Sequence, residues 1–186
     1  MLNVKAIGVL DCRKYITDKF GPSAHDEIRA LMSERDRAIV YSDELSPLSW
    51  VDLEAVVNHA IATDQAFGNG DGRVIDAMLQ NLANQHYHGI YRIMFQSATP
   101  KEVVEKIASI WNRYYDKGEV SIEFLDDNHA INKITRCPGV PPHHEILVIP
   151  YMEAIMNLAG VRDVRVQHTR CIANGGDCCI FEYSWR

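Results

Sequence analysis

The apolar residues of this 186-residue chain recur at helical spacing up to about residue 115, and beyond Gly118 they alternate with polar residues. A helix buries positions i, i+3, i+4 and i+7 on one face, whereas a half-buried strand buries every second residue. The period therefore changes from helix to strand near Gly118. This order predicts an α+β domain in which N-terminal helices precede a helical layer packed on an antiparallel sheet, the sheet being two hairpins in ββαββ order.

Helical spacing marks several stretches before the sheet. They run over 9–20, over 25–32, from Ser49 towards the glycine-rich loop at 68–72, over a long central helix at 73–96, and over 100–115. The first two are short, and helices of this length are marginal in water unless they pack on another surface. Residues 1–48 are therefore predicted to be an N-terminal helical segment through which the chain forms a homodimer. The alternative is that they pack onto residues 49–186, the predicted ligand-binding domain.

Two hairpins with a helix between them are predicted for the C-terminal part. The first alternates apolar and polar residues over 120–124 and returns over 129–136. The second begins near 164, turns at Asn-Gly-Gly-Asp over 174–177 and returns over 179–185, since glycine-rich pairs form tight hairpin turns. The segment 143–158 between them has helical length, but Pro150 lacks the amide hydrogen that a helix interior needs. The helix is either kinked at Pro150 or begins near it.

The charge and hydropathy of the chain exclude two classes of partner. Lys and Arg number 19 against 25 Asp and Glu, a formal net charge of −6, whereas nonspecific phosphate binding usually needs a basic surplus. No apolar run reaches the roughly 18 residues of a membrane span, and the apolar start of the chain is too short for a secretory signal. We therefore expect a cytoplasmic protein that binds neither nucleic acid nor membrane directly.

Three of the five cysteines fall near the C-terminus. Cys171 and Cys179 flank the turn of the second hairpin, so they should lie within about one residue of cross-strand register, with Cα atoms roughly 4.5–5.5 Å apart. His168 lies just before Cys171, and His143 and His144 open the preceding helical segment. Thiolates and imidazoles in this arrangement can bind tetrahedral zinc. The alternatives are ordinary buried thiols or a Cys171–Cys179 disulfide.

Adjacent residues of a strand point to opposite faces, so one of Cys178 and Cys179 is expected to join such a site. Cys179 shares its parity with Phe181, Tyr183 and Trp185 and is the better candidate. An odd number of cysteines, clustered in this way, suits a thiolate metal site in a reducing compartment better than a disulfide framework.

The second hairpin resembles the C-terminal signature of a known family. From Cys171 to Phe181 it reads Cys-Ile-Ala-Asn-Gly-Gly-Asp-Cys-Cys-Ile-Phe, and it follows an apolar helix that ends at Gly160. It is similar to the 4-vinyl reductase-like domain, a family that includes the sensor domains of phenol- and xylene-responsive transcription activators. That family is related in fold to the haem-nitric-oxide-binding domain. Residues 111–118 and the strand after them resemble the family's helix and first hairpin.

The resemblance implies a metal site. In the sensor domains zinc is held by a cysteine at the start of the helix, a glutamate three residues before the next cysteine, that cysteine, and a further cysteine eight residues on. The matching positions here are His144, His168, Cys171 and Cys179. They predict zinc with two histidine and two cysteine ligands, with iron or no metal as alternatives. His168 and Cys171 are an odd number of residues apart, so the strand must end or bulge between them to aim both at one ion.

The resemblance also implies a pocket for an aromatic effector between the long helices and the first hairpin. The family uses a tryptophan where this chain has Gly118, so that contact of phenol-type recognition is missing here. The candidate pocket residues are His86, His88, Tyr91, Trp111, Tyr114 and Tyr115. The expected ligand is a small apolar or aromatic molecule. The alternative is that these side chains are ordinary core or surface residues.

These features predict a small-molecule sensor domain with a structural zinc site, serving signal transduction or transcription regulation by passing its ligand state to a partner or an attached output domain. The alternatives are a haem- or tetrapyrrole-binding gas sensor and a reductase acting on a tetrapyrrole vinyl group. An enzyme is disfavoured because the sequence has no dinucleotide fingerprint, nucleophile elbow or open H-E-x-x-H metal motif. Haem is disfavoured because the Tyr-x-Ser-x-Arg propionate-binding motif of haem-nitric-oxide-binding domains is absent.

Overall fold

The computed structural model describes residues 1–89, 92–95 and 97–186 and has the predicted α+β architecture. In chain order the elements are β1 (Asn3–Lys5), α1 (Ile7–Phe20), α2 (Ala24–Leu31), α3 (Glu34–Val40), β2 (Trp50–Asp52), α4 (Leu53–Phe67), α5 (Arg73–His88), α6 (Arg92–Phe95), α7 (Pro100–Ser109), α8 (Trp111–Tyr114), β3 (Glu119–Phe124), β4 (His129–Thr135), a π-helical turn (His144–Val148), α9 (Ile149–Leu158), β5 (Arg165–Arg170), a 3-10 turn (Ile172–Asn174) and β6 (Cys179–Ser184). None of the described helices is long and apolar enough to cross a membrane.

The four C-terminal strands form one antiparallel sheet in the order β3-β4-β6-β5. β3 pairs with β4, and β5 pairs with β6, which confirms the two predicted hairpins. The hairpins join along β4 and β6, where Ile134 lies opposite Cys179 and Ala130 lies opposite Tyr183. Buried and less buried residues alternate along both central strands. The sheet therefore packs one face against the helical layer.

The N-terminal helices pack on the rest of their own chain. α1 packs on α5, while α2 and α3 pack on α4. Their inward residues, including Val9, Ile16 and Ile28, are fully buried in this way. β1 also pairs with β2, a two-stranded sheet that the sequence pattern did not predict. Homodimerisation through these helices stays a prediction.

Several helices differ from the sequence-based expectation. The segment predicted as one helix over 100–115 is divided at Ile110 into α7 and α8, and α3 was not predicted. The long helix predicted over 73–96 ends at His88 and is followed by Gly89, and residues 90, 91 and 96 of that prediction lie outside the described part of the chain. α4 begins at Leu53 rather than near Ser49. The reason is that the side chain of Asp52 caps the helix by accepting a hydrogen bond from the amide of Glu54.

The segment that contains Pro150 is helical throughout, with a change of geometry at Ile149. The π turn over His144–Val148 closes with a hydrogen bond from the amide of Ile149 to the carbonyl of His144. α9 follows directly, with Pro150 in its first turn. Proline cannot donate an amide hydrogen bond, and its ring crowds the carbonyl four residues earlier in an α-helix. The wider π turn avoids this conflict. The α-helix thus begins next to Pro150, one of the two predicted alternatives, and it follows a π turn.

The buried apolar residues form two core clusters, one centred on the sheet with α7 and α9 and one among α1 to α5. Half-buried residues that pack against both clusters are Val4, Val56, Ile146, Leu147 and Tyr151. Ile146 and Leu147 belong to the π turn. This turn therefore lies at the junction of the two cores.

Candidate metal cluster and ligand cavity

Four potential metal ligands meet between the π turn and the β5–β6 hairpin. The ligand atoms of His144, His168, Cys171 and Cys179 all lie within 4.8 Å of one another. Two ligands held at about 2.0–2.3 Å from one zinc ion, at the tetrahedral angle, are roughly 3.3–3.8 Å apart. Small side-chain rotations therefore suffice to place the four donor atoms around a single ion.

The strand register explains how these side chains converge. His168 lies opposite Phe181 in the β5–β6 pair, and the register shifts between His168 and Arg170. A bulge of this kind redirects the side chains that follow it. Cys171 can therefore face the same ion as His168 despite their odd separation. Cys179 begins β6 and is buried on the same side of that strand as Phe181.

His168 is oriented as a metal-binding imidazole. Its Nδ1 lies 2.8 Å from Oε1 of Glu145. The carboxylate accepts the Nδ1 hydrogen, which leaves a lone pair on Nε2. Nε2 is buried and has no hydrogen-bond partner among the described residues. The ring also stacks on Phe181, with centroids 4.7 Å apart. A metal ion is the kind of partner that such a fixed, buried lone pair fits.

The pKa values of His144 and Cys179 favour neutral side chains in the absence of a metal. Burial, and to a lesser extent the nearby His168, lowers the pKa of His144 to about 4, so its imidazole is neutral near pH 7. Burial raises the pKa of the Cys179 thiol to about 12. A metal ion must displace this thiol proton, so its binding should release protons and weaken at low pH.

Cys178 and Cys137 make other contacts. The Sγ atom of Cys178 lies 3.3 Å from Oδ1 of Asp177, and that of Cys137 lies 3.5 Å from the carbonyl oxygen of Pro138. Neither residue belongs to the group of four whose donor atoms converge. All the cysteines are free thiols, so the alternative of a Cys171–Cys179 disulfide is not what the structure contains.

Replacing Glu145 with Gln is expected to weaken zinc binding by about 10–100-fold, because a carboxylate that orients a ligand histidine typically contributes this much. The amide oxygen can still accept the Nδ1 hydrogen but carries no charge. Competition with a chromophoric chelator measures the dissociation constant. Glu182→Gln changes an exposed carboxylate of β6 that is bonded to Thr169 and serves as the matched control. Equal zinc affinity in the wild type and in Glu145→Gln would contradict this role.

An apolar cavity of about 160 Å³ lies between the helices of both core clusters. Its walls come from β1, α1, α4, α5, α7, α8, the π turn and the start of α9. Of the predicted pocket residues, those in the wall are His86, Trp111, Tyr114 and Tyr115. His88 is instead exposed at the end of α5, with its ring against Tyr87. Tyr91 lies outside the described residues.

The prediction that the first hairpin forms one wall of the cavity is wrong, because the described lining contains no residue of β3 or β4. Trp111 explains why. The indole N–H of Trp111 donates to the carbonyl of Lys117 at 3.0 Å, and a Cβ atom placed on Gly118 would lie only 2.7 Å from that indole nitrogen. Gly118 also has a φ of +110°, which side chains rarely adopt. Trp111 therefore closes the space beside the hairpin. The cavity takes its tryptophan from α8, and position 118 has no room for one.

A polar chain interrupts the apolar wall at His86. Its Nδ1 lies 2.7 Å from the hydroxyl of Tyr151, and its Nε2 lies 3.1 Å from Oδ2 of Asp11. The carboxylate accepts the Nε2 hydrogen, so we assign the tautomer in which Nδ1 accepts from the tyrosine. These partners are 65 and 75 residues away along the chain. No local sequence pattern could have indicated them.

His59 is a second histidine of the wall, and the sequence indicated no partner for it. It is buried on α4, and its Nε2 lies 3.2 Å from the hydroxyl of Tyr41, which in turn lies 3.3 Å from Nδ1 of His25. Burial lowers the pKa of His59 to about 3, so the ring is neutral near pH 7. The cavity therefore combines an apolar lining with the neutral imidazole of His59 and with phenol groups.

No family model matches this sequence, and no curated protein matches it. Solved structures match over nearly the whole chain. An H-NOX protein from S. oneidensis in the Fe(II)NO ligation state is 12% identical, with a TM-score of 0.69 over 98% of this chain and 99% of that chain. An Fe(II) unliganded H-NOX protein from K. algicida is 10% identical, with a TM-score of 0.66 over 98% and 96%. The IWP-051-bound H-NOX from Shewanella woodyi is 10% identical, with a TM-score of 0.67 over 96% and 93%.

Identities this low establish the fold alone, and that fold is H-NOX-like. It agrees with the expected kinship in fold to haem-nitric-oxide-binding domains. Membership of the 4-vinyl reductase-like family stays a prediction, since none of the matched structures tests it.

Proposed function

We propose that this chain is a small-molecule sensor domain whose ligand occupies the apolar cavity. The observation that carries the proposal is a cavity of about 160 Å³ with an apolar lining and a few polar groups, among them His59, His86 and Tyr151. Such a combination is what a specific small-ligand site requires. A dry apolar cavity of about 150 Å³ accommodates benzene. The ligand is therefore the size of one aromatic ring, with a hydrogen-bonding substituent such as a hydroxyl group.

The position of the cavity suits a sensor. Its wall contains residues of α1, such as Val9, and residues near α9, such as Val148. A ligand there touches both core clusters and stabilises one arrangement of the two relative to the other. A partner or an attached output domain would recognise that arrangement and so respond to the bound ligand.

In this proposal zinc binds the cluster of His144, His168, Cys171 and Cys179 and holds the β5–β6 hairpin against the π turn. A site closed by four protein ligands is structural, because catalytic zinc keeps an open coordination position. Iron is the alternative metal for the same donors. A structural metal supports a binding module rather than an enzyme.

A tetrapyrrole is the second candidate ligand, and the fold likeness favours it. The matching H-NOX structures are described with iron(II) ligation states and, for one, with haem distortion. Haem iron accepts His, Cys or Tyr as an axial ligand, and the cavity wall contains His59 and Cys12. Pockets for larger ligands measure about 300–1,000 Å³, well above this cavity. The ammonium group of Lys5 lies in the wall, but it already donates to the carbonyl of Leu48 rather than being left for a haem propionate. The propionate-binding motif is also missing from the sequence. The residues therefore do not fit haem.

Titration of the purified chain with phenol, benzene and haemin separates these candidates. We expect phenol to bind about 2–12-fold more tightly than benzene, because one hydrogen bond contributes a net stabilisation of roughly 0.5–1.5 kcal/mol. Tyr151→Phe should reduce this preference, since it removes a hydroxyl from the wall. Calorimetry provides both affinities.

Tyr87→Phe is the matched control because Tyr87 lies on α5 outside the cavity lining and stacks on Phe95. Its preference for phenol should equal that of the wild type. If neither aromatic molecule binds, the cavity is not a site for a single-ring ligand. Stoichiometric haemin binding with a Soret band that disappears in His59→Ala would replace the proposed ligand with a tetrapyrrole.

A further inference from the structure

The π turn contributes both to the metal cluster and to the cavity wall. Its first residue, His144, is one of the four clustered ligands, while Leu147 and Val148 line the cavity. The hydrogen bond from the amide of Ile149 to the carbonyl of His144 closes the turn around these residues. A displacement at one end of such a hydrogen-bonded turn therefore moves the other end. π turns are rare and occur frequently at functional sites.

The same turn reaches the cluster at a second point. Glu145, the next residue, holds Nδ1 of His168 at 2.8 Å. One imidazole of the cluster therefore belongs to the turn, and the other is bonded to it. A metal ion that joins these imidazoles to Cys171 and Cys179 would fix the turn to the hairpin through both connections.

His143 connects this segment to the aromatic wall of the cavity. Its Nε2 lies 3.0 Å from the hydroxyl of Tyr115, and Tyr115 stacks on Trp111 with centroids 3.9 Å apart. The rings of His143 and His144 are 5.0 Å apart. His143 is buried, and its Nδ1 has no hydrogen-bond partner within the described ranges. The bond to Tyr115 therefore anchors this imidazole, because breaking it would leave a second buried polar atom unsatisfied.

We propose that zinc binding at the cluster and ligand binding in the cavity are positively coupled through residues 143–148. This inference rests on the proposed function, since it concerns the same two sites. Binding at either site orders the shared segment, so the second binding event pays less conformational entropy. Coupling between binding free energies is reciprocal, and its usual size is about 5–150-fold in affinity. Each ligand should therefore raise the affinity for the other.

Calorimetry with phenol as the cavity probe tests the coupling. We expect zinc-loaded protein to bind phenol on the order of tenfold more tightly than metal-free protein, and saturating phenol to raise zinc affinity by the same factor. Tyr115→Phe keeps the stacked ring but removes the hydroxyl that holds His143, so the ratio should fall towards unity while zinc still binds. Tyr87→Phe removes a hydroxyl from a tyrosine of α5 outside the cavity lining and should keep the wild-type ratio.

Amide hydrogen exchange with zinc alone gives a readout that needs no cavity ligand. Zinc should slow exchange in α8 of the wild type and of Tyr87→Phe, but not in α8 of Tyr115→Phe. If zinc binds without slowing exchange in α8, the coupling is overturned whatever phenol does. If zinc slows α8 but phenol does not bind, the proposed ligand fails while the coupling stands. If phenol and zinc both bind with independent affinities, the proposed function stands and the coupling is wrong. If zinc does not bind, the zinc site of the proposed function and the coupling are both wrong.

Discussion

Removal of zinc from the cluster of His144, His168, Cys171 and Cys179 is expected to lower the melting temperature by about 8–16 °C. A ligand that binds only the native state, at about 1,000 times its dissociation constant, stabilises that state by about 4 kcal/mol. For a chain of this length, each kcal/mol shifts the melting temperature by about 2–4 °C. A metal bound there would stabilise the fold because the four clustered side chains come from the π turn and from both sides of the second hairpin. Scanning calorimetry before and after chelation, with elemental analysis, measures the effect.

Cys179→Ser should abolish the effect of chelation, because it removes one of two thiolate ligands. Cys178→Ser is the matched control, since this neighbouring buried thiol contacts Asp177 and lies outside the converging group. It should keep the metal and the wild-type response. Identical melting curves with and without chelator, together with no metal in the purified protein, would show that the cluster is not a metal site. Loss of metal in Cys178→Ser but not in Cys179→Ser would assign a different ligand set.

Acidification of the metal-free protein from pH 8 to pH 5 is expected to lower the free energy of unfolding by about 4 kcal/mol through His59 and His144 together. Burial lowers the pKa of His59 to about 3, that of His144 to about 4, and that of His143 well below its usual value. In the unfolded chain each imidazole has a pKa near 6.5. The stability that depends on these imidazoles being neutral is fully present above pH 6.5. It is lost as the pH falls towards the folded-state pKa values, because the unfolded chain then binds more protons than the folded chain. His59 and His144 each account for about 2 kcal/mol at pH 5, and His143 acts in the same direction.

Urea unfolding at several pH values between 5 and 8 measures this dependence. His59→Gln should reduce the slope of the unfolding free energy below pH 6, since it removes one of the buried neutral histidines. His88→Gln changes an exposed histidine of α5 and should keep the wild-type slope. A stability that stays constant between pH 8 and pH 5 would contradict the burial of neutral histidines. So would an unchanged slope in His59→Gln.

Features that depend on neighbouring residues could be predicted from the sequence. The change of period near Gly118 placed both hairpins, because alternation over a few residues is enough to define a half-buried strand. The turn between Cys171 and Cys179 placed both thiols near one another for the same local reason. The resemblance to sensor domains added His144 and His168, and the odd spacing of His168 and Cys171 required the bulge that the strand register has. Whether this convergent group binds a metal is a prediction that chelation tests.

The walls of the cavity were decided only by the tertiary structure. Periodicity identifies which face of a helix is buried, but it does not identify the residues that the face packs against. The sequence therefore placed His86 near a pocket without revealing Asp11 and Tyr151, its partners from α1 and α9. It assigned one wall to the first hairpin, whereas Trp111 closes that side. Contacts between distant segments follow from how the two cores fit together, and that fit depends on the shapes of all the packed elements at once.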